Sequence, residues 1–364
     1  MISGKDFSNW GGCMKGRIHY KPFGHIFLYI TDNCNLRCKY CYIGNRLNRP
    51  RKEMSLKDVY KILNYFCRFD SKFVTILGGE PTLHKNIYSI ISLANDLGYH
   101  VYLDTNGTFH SQFLEKVKCD SLYYFSFSLD GSNEKLNSIL RGPGVFEICV
   151  KNIKRAVELG FDVRITPTLT KINADDASNI ISLAENLGCK LVNFHNFIPR
   201  AYGNRHLDWI LHKDDWINTF NKIKKSSEKS HITIWCPPEY ATHEEFKRYL
   251  KEGYKGCIAR YLDRCSIFPD GRVYLCSLLF DFPSYNFFVF ENSKLKFNKG
   301  FNEMDVFFGI ENCCKDCENL RNCGGVCPAR NFQYRKLKLH EVRCDKKYIP
   351  LCPLWKTTLN KKSD

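Results

Sequence analysis

Thr31-Asp-Asn-Cys34-Asn-Leu-Arg-Cys38-Lys-Tyr40-Cys41-Tyr42 is the stretch on which the reading of this chain turns. It follows directly on the apolar, β-rich run Ile26–Thr31 and holds three cysteines at C-x3-C-x2-C spacing. Three thiolates this close can cap three corners of an iron–sulfur cubane. The fourth iron is then left without a protein ligand and open to a substrate or cofactor. A zinc ion completed by a distant fourth ligand is the alternative, and the spacing with Tyr40 before the last cysteine argues against it.

Outward from that stretch, residues 26–198 alternate β-rich runs with amphipathic helical patterns. The expected strands are Ile26–Thr31, Phe73–Leu77, His100–Asp104, Tyr123–Leu129, Asp162–Thr168 and Lys190–Phe194. Ser55 to Asp58 reads as a capping box, and Asn173 or Asp176 as a similar helix start. ISLANDLGYHV at 91–101, AVELGFDV at 156–163 and ISLAENLGCKL at 181–191 share one pattern: a helix end, a Leu-Gly stop and a β-rich run. Gly98, Gly160 and Gly188 fit the left-handed position just past a helix. Repeated β-α units imply parallel strands joined by right-handed crossovers, as a doubly wound sheet or a partial barrel. In either, chemistry sits at the C-terminal strand ends.

The whole chain has 364 residues, 44% of them hydrophobic, which suits one large domain plus a smaller one. The boundaries expected are an extension over 1–21, a barrel over 22–205, a bridging region over 206–256 and a cysteine-rich segment over 257–364. There is no apolar run of signal-peptide or transmembrane character, so a cytoplasmic protein is expected. Disulfides are disfavoured there, and the 19 cysteines point to metal thiolates. The last segment crowds cysteines among Gly, Pro and Asn, so metal clusters would have to organise it.

At this point the sequence resembles the radical S-adenosylmethionine (SAM) superfamily, whose signature is C-x3-C-x-aromatic-C in the loop after the first strand of a partial (β/α)6 TIM barrel. The resemblance covers residues 22 to about 200. It implies that Cys34, Cys38 and Cys41 hold a [4Fe-4S] cluster and that Gly78, Gly79 and Glu80, in Gly-Gly-Glu-Pro81, bind the amino group of SAM. Asn106 ends the third strand. Ser128 and Arg141 are expected at the ribose and carboxylate of SAM, and Tyr40 near the adenine. A surface role for Arg141 and core packing for Tyr40 are the plain alternatives.

Further on, Cys257-x13-Gly271-x4-Cys276 is followed by Cys314-x2-Cys317-x5-Cys323-x3-Cys327 and Cys344. This pattern resembles the SPASM domain, which carries auxiliary iron–sulfur clusters. The resemblance assigns Cys257, Cys265, Cys276 and Cys327 to one cluster, and Cys314, Cys317, Cys323 and Cys344 to the other. Cys313 competes with Cys314, and Cys352 with Cys344. Structural zinc is the alternative for both. Three [4Fe-4S] clusters would lower the formal charge of +16 to about +11. A Lys-rich solvated surface explains the remaining charge, and attraction to an acidic partner is the sharper reading.

The resemblance implies reductive cleavage of SAM and hydrogen-atom abstraction by a 5′-deoxyadenosyl radical. The expected substrate is a ribosomally made peptide, cross-linked or epimerised. The alternatives are a small-molecule dehydrogenase or epimerase acting on an aminocyclitol or sugar, and a sulfatase maturase that forms formylglycine. Sulfatase maturases carry an Asp base after the Cys of G-x4-C. Here that position is Ser277, with Asp281 the nearest substitute. Cys236 and Cys352 are the thiols to consider as hydrogen-atom donors. Only about 21 residues precede the barrel, so the peptide is expected to bind the barrel directly or to use a separate leader-recognition protein, with flavodoxin or ferredoxin as reductant. A cysteine-rich RNA-contact protein leaves Gly-Gly-Glu-Pro unexplained, and neither nucleic acid nor membrane is expected as a partner.

Overall fold

The β-rich runs become strands and pair in sequence order. In the computed structural model, which describes residues 23–47, 52–259, 262–280, 282, 285–298, 319–323 and 327–360, all of the expected strands form. They are β1 His25–Thr31, β2 Phe73–Gly78, β3 His100–Thr105, β4 Tyr124–Phe127, β5 Val163–Ile165 and β6 Leu191–Asn193. Each pairs in parallel with the next. β5 is shorter than the run 162–168 because Pro167 has no N–H to give the ladder. The chain pairs again at Thr168–Leu169, against His195–Asn196.

Two further parallel strands come from regions read otherwise. β7, Thr233–Cys236, lies beside β6, and β8, Arg264–Ile267, lies beside β1. The region expected to bridge therefore supplies a helix, Lys213–Ser227, and a strand of the main sheet. Both were hard to read because the strand is short and the helix is Lys-rich, leaving little apolar periodicity. From β8 the sheet continues antiparallel through β9 Arg272–Tyr274, β10 Phe288–Glu291 and β11 Lys294–Phe297. At the far edge β12, Thr357–Thr358, pairs antiparallel with β7. The full order is β11-β10-β9-β8-β1-β2-β3-β4-β5-β6-β7-β12.

Helices Leu56–Cys67, Ile87–Asp96, Val145–Glu158 and Ala177–Asn186 follow successive strands. Ser55 Oγ accepts from Asp58 N at 3.1 Å and donates to Asp58 Oδ2 at 2.6 Å, capping the first of them. Asp176 stands at a cap position but turns its carboxylate to Ser132 N and Oγ, at 2.6 and 2.7 Å. Gly98, Gly160 and Gly188 take φ of 81°, 87° and 78°, the left-handed stops expected from the repeated Leu-Gly pattern. Strand alternation sorts the core: Ile26 and Leu28 are fully buried, while Phe27 and Tyr29 between them line the interior cavity.

A second, smaller core packs Phe246, Tyr249, Tyr254, Ile349 and Leu351 with Cys323 and Cys352. It is organised by the antiparallel pair Tyr240–Thr242 and Tyr348–Pro350 and by helix His243–Lys251. Among the described residues no helix is long and apolar enough to cross a membrane. The 1–21 extension, Asp281, Cys313, Cys314 and Cys317 lie outside the described residues.

Candidate active site

The loop after β1 carries Cys34, Cys38 and Cys41 to the C-terminal edge of the sheet, all partly buried. It is held there by backbone. Gly79 N donates to Thr31 O at 2.8 Å and Glu80 N to Asn33 O at 2.7 Å. A Cβ on Gly79 would strike the Asn33 carbonyl and come within 2.9 Å of Cys34 Cβ, so only glycine lets the two loops meet. The close approach required of this glycine is thus to the cysteine loop itself. Leu36 N reaches Cys34 Sγ at 3.4 Å, Asn106 Nδ2 reaches it at 3.9 Å, and Arg141 Nη1 reaches Cys38 Sγ at 4.0 Å. Burial raises all three thiols, Cys34 to about 11. Thiolates here need a cationic partner, which iron supplies.

Three sulfurs converging on one zinc at 2.3 Å would stand about 3.8 Å apart. Among the described residues no three His, Cys, Asp or Glu side chains are gathered so as to share one ion. A cubane, which gives each ligand its own iron corner, fits the loop better.

Glu80 is buried and ties two strand ends together. Its carboxylate accepts from Thr82 N at 3.1 Å, Thr82 Oγ1 at 2.6 Å, Thr105 Oγ1 at 2.7 Å and Asn106 N at 2.7 Å. Burial raises its pKa, and the donors oppose the rise. Oε2 takes only the Asn106 N–H among these, which leaves it acceptor capacity for a cation in the cavity. Asn106 also donates to Asn35 Oδ1 at 2.9 Å, fastening the third strand end to the cysteine loop.

Arg141 is not a surface residue. It lies buried at the end of helix Glu134–Arg141, with Nε 2.6 Å from Asp130 Oδ2 and Nη2 2.6 Å from Tyr40 Oη. Tyr40 donates to the same Asp130 oxygen, and Thr168 N donates to Oδ1 at 2.7 Å. Burial opposes the Arg141 charge, and Asp130 more than restores it. Tyr40 both packs with Leu140, Phe197 and Trp209 and faces the cavity. Asp130 had no role in the sequence reading. A carboxylate beside a glycine at a strand end was its only signal.

These groups line one wall of a cavity of about 320 Å³, with Ser128 beside them. No cysteine other than Cys34, Cys38 and Cys41 is among its described lining residues. The opposite wall comes from the C-terminal half: Arg264, Ser266, Ser277, Leu278 and Leu354. His195 also faces the cavity, and its Nε2 lies 2.9 Å from Lys356 Nζ. Lys356 donates in addition to Asn193 Oδ1. Burial lowers both groups well below their usual values, and nearby cations lower them further. Neither His195 nor Lys356 had a sequence signal, since a lone His and a C-terminal Lys fit no motif. Cys236 and Cys352 are buried and do not line the cavity, which removes the geometric basis for either as a hydrogen-atom donor there.

The C-terminal cysteines divide into two sets. Burial raises Cys276 to about 12, with the Cys257 and Cys352 sulfurs as the next causes. Cys327 is raised by burial, then by Cys352, Cys276 and Cys257. The charges of these sulfurs thus act on one another. Cys265 does not join them. β8 turns it to the face opposite Arg264 and Ser266, beside Ile26 and Tyr99 in the main core. The assignment of Cys265 to this group is corrected accordingly: strand alternation points it into the helix-side core. Cys323, Cys344 and Cys352 pack in the smaller core.

A profile of the Radical SAM superfamily matches residues 28–184. The chain is 24% identical over 323 residues to an AdoMet-dependent heme synthase of Oleidesulfovibrio alaskensis, covering 83% of this chain and 82% of that one. It is 25% identical over 325 residues to the mycofactocin maturase MftC of Mycolicibacterium smegmatis, covering 83% and 77%. Among solved structures, Streptococcus suis SuiB bound to its precursor peptide SuiA superposes with a TM-score of 0.67 at 17% identity, over 93% of this chain and 77% of that one. The superfamily implies a [4Fe-4S] cluster and SAM, and the three-thiol loop beside a polar cavity fits both. The cysteine loop, the Glu80 strand end and the parallel sheet that aligns them fall within the match, and the chain carries a radical SAM domain over residues 28–184.

Proposed function

We propose that the enzyme modifies a ribosomally made peptide, taking a hydrogen atom from a side chain or Cα. The observation that carries this reading is the size and shape of the cavity. At about 320 Å³ it stands at the low end for small-molecule sites. A ligand of SAM's size would take most of that space, which leaves room for only a narrow substrate group. Thr166 Oγ1 and Asn196 Oδ1 are buried polar atoms without a hydrogen-bond partner, and both residues line this cavity. They are handles for a peptide amide. The likeness to SuiB, seen with a precursor peptide, supports the same choice.

In this reading Cys34, Cys38 and Cys41 hold the cluster, and Gly78, Gly79 and Glu80 receive the amino group of SAM. Asn106 keeps the Glu80 strand end in register with the cysteine loop. Ser128 and Arg141 meet the ribose and carboxylate, with Asp130 and Tyr40 fixing the guanidinium. Tyr40 presents its ring edge toward the adenine side. When bound, the cluster and SAM supply methionine and a 5′-deoxyadenosyl radical from one electron. The walls from both halves of the chain exclude water while the hydrogen atom is transferred.

Cross-linking requires the removal of one further electron and one proton. Auxiliary clusters held by the C-terminal cysteines would take the electron. The proton would leave to solvent, because burial and nearby cations oppose protonation of His195, which faces the cavity. Epimerisation would instead need a hydrogen-atom donor, and no cysteine beyond the triad lines the cavity among the described residues. Ser277 lines it too and is a poor base at neutral pH, which disfavours formylglycine formation. A small electron-transfer protein of the flavodoxin or ferredoxin class supplies the first electron, and a separate protein delivers the peptide leader. A small-molecule substrate is the second reading, favoured by the similarity to the heme synthase.

The test is anaerobic incubation of the reconstituted enzyme with reductant, SAM and a short peptide encoded beside its gene, read by mass spectrometry. Loss of two hydrogens from the peptide supports cross-linking. An unchanged peptide with continued turnover of a small molecule overturns the peptide reading.

A further inference from the structure

The cavity wall that faces the cysteine loop carries one charged side chain among the described residues, Arg264. We propose that Arg264, with Ser266 beside it, takes a carboxylate of the substrate, so that the enzyme selects a peptide that brings an acidic side chain or its free C-terminus into the cavity. The inference rests on the reading of this cavity as the substrate site of a peptide-modifying enzyme.

The first observation is a missing partner. Arg46, Arg141, Arg164 and Arg330 are all buried, and each meets a carboxylate: Asp270 at 3.1 Å, Asp130 at 2.6 Å, Asp104 at 3.1 Å and Glu239 at 2.8 Å. Arg264 is half-buried and pairs with none among the described residues. Its Nη2 donates to Leu354 O at 3.2 Å, and its guanidinium carbon lies 5.5 Å from the Phe27 ring centre. Neither contact balances its charge, and Asp263, next to it in the chain, is exposed. Leu275, Leu278 and Leu354 line the same cavity, and a cation among apolar groups calls for an anion. The guanidinium keeps further N–H donors once one serves Leu354.

Register aims the group. β8 pairs with β1, Arg264 opposite His25 and Ser266 opposite Phe27. Phe27, Arg264 and Ser266 all line the cavity, so the strand presents a guanidinium and a hydroxyl two residues apart on one face. Two donors side by side suit the two oxygens of a carboxylate.

A second cation stands behind the first. The segment whose Leu354 carbonyl holds Arg264 runs on to Lys356, and Lys356 Nζ lies 2.9 Å from Nε2 of the cavity-lining His195. Burial, then Arg164, keep Lys356 well below its usual value, with Arg264 a further cause. A carboxylate in the cavity would offset that repulsion.

The opposite wall has no anion to spare. Asp130 is held by Arg141, Tyr40 and Thr168, and Glu80 by donors from Thr82, Thr105 and Asn106. SAM has a net charge of about +1 and a three-thiolate cubane about −1, so together they add almost none. The Cys352 and Cys276 sulfurs also act on Arg264, which makes a cluster in the C-terminal half the competing counter-ion.

The experiment uses the full chain, reconstituted and loaded with SAM, and reads ligand binding by saturation-transfer NMR. One probe is N-acetylglutamate α-amide, with a free side-chain carboxylate. Another is N-acetylalanine, with a free α-carboxylate. The third is N-acetylglutamine α-amide, which has neither. At least one of the two carboxylates should bind and the third probe should not; which of them binds tells an acidic side chain from a C-terminus. Arg264→Gln should weaken that binding about tenfold to a hundredfold, the range for a charge-assisted hydrogen bond. Arg264→Lys keeps the charge without the fork and should recover part of it. Ser266→Ala removes only a hydroxyl, so it keeps the test open if Arg264→Gln does not fold; it should weaken binding about twofold to tenfold.

Equal binding of all three probes, no binding of either carboxylate, or binding undiminished in Arg264→Gln and Ser266→Ala overturns the assignment. So does loss of iron or of SAM affinity in folded Arg264→Gln, because the charge would then serve an auxiliary cluster or the carboxylate of SAM. Carboxylate binding that depends on Arg264, beside a peptide that stays unmodified, supports this site and overturns the peptide reading alone.

Discussion

The two groups of cysteines in this protein are built in opposite ways. Cys34, Cys38 and Cys41 come from one loop and face a cavity, with the Arg37 and Arg141 guanidiniums near them. Cys257, Cys276 and Cys327 come from three separate segments, do not line the cavity, and have the charges of Arg200 and Arg330 near them. In the cluster reading, the first group would leave one iron corner open to the cavity, and the second would not face it. An open metal corner is a place for chemistry, and a closed one is a place for structure or for electrons in transit. The contrast assigns radical generation to the loop and support to the C-terminal set.

The largest effect that would break this contrast is in the loop. Cys38→Ala should abolish formation of 5′-deoxyadenosine while leaving C-terminal iron in place, as measured by chromatography and iron analysis on the same sample. Loss of both signals together would mean that the two groups are not independent.

Removal of iron should act mainly on the second group. Chelation should loosen the C-terminal segment, and trypsin should then cut after Lys356, which is half-buried and held by Asn193 and His195 in the intact fold. Unchanged protection at Lys356 after complete iron removal would show that hydrogen bonds alone hold the segment.

Next in size is the buried pair behind the cavity. Asp130→Asn leaves the Arg141 charge without its partner, and breaking a buried ion pair costs about 3–5 kcal/mol. The drop should appear in thermal denaturation of the metal-free protein. In the reading that places the amino group of SAM on Glu80, Glu80→Gln removes a charge-assisted contact worth about 1.5–3 kcal/mol, so SAM affinity by calorimetry should weaken roughly tenfold to a hundredfold.

The smallest effect concerns the barrel interior, away from both groups. Burial lowers the His25 pKa to about 3, with Arg264 and Arg164 as further causes. The unfolded chain therefore binds a proton below about pH 6.5 that the folded chain refuses. Stability is full above that pH and should fall by about 1.4 kcal/mol per pH unit as pH drops from 6.5 toward 3. His25→Gln should remove that slope in denaturant titrations at pH 7.5 and 5.5.

What was legible in the sequence follows the same division. The cysteine loop, Glu80 and Arg141 were readable because local spacing and strand ends carry their signal. The six expected strands were readable from β-rich runs bounded by Leu-Gly stops. β7 and β8 were not, because Thr-Ile-Trp-Cys and Arg-Cys-Ser-Ile are short and sit among charges and cysteines. Cys265 was misplaced for a related reason: counting cysteines along the chain says nothing about which face of a strand each occupies. Only the pairing of β8 with β1 settles that. Asp130, His195 and Lys356 act through contacts with sequence separations of 11 to 161 residues, and no local pattern encodes those.

The most direct measurement is the anaerobic reaction of the reconstituted wild-type enzyme with dithionite and SAM, followed by quantification of 5′-deoxyadenosine. The account predicts its formation by the wild type and none by Cys38→Ala. A wild-type protein that is fully loaded with iron and binds SAM, yet leaves it intact under strong reduction, would contradict it.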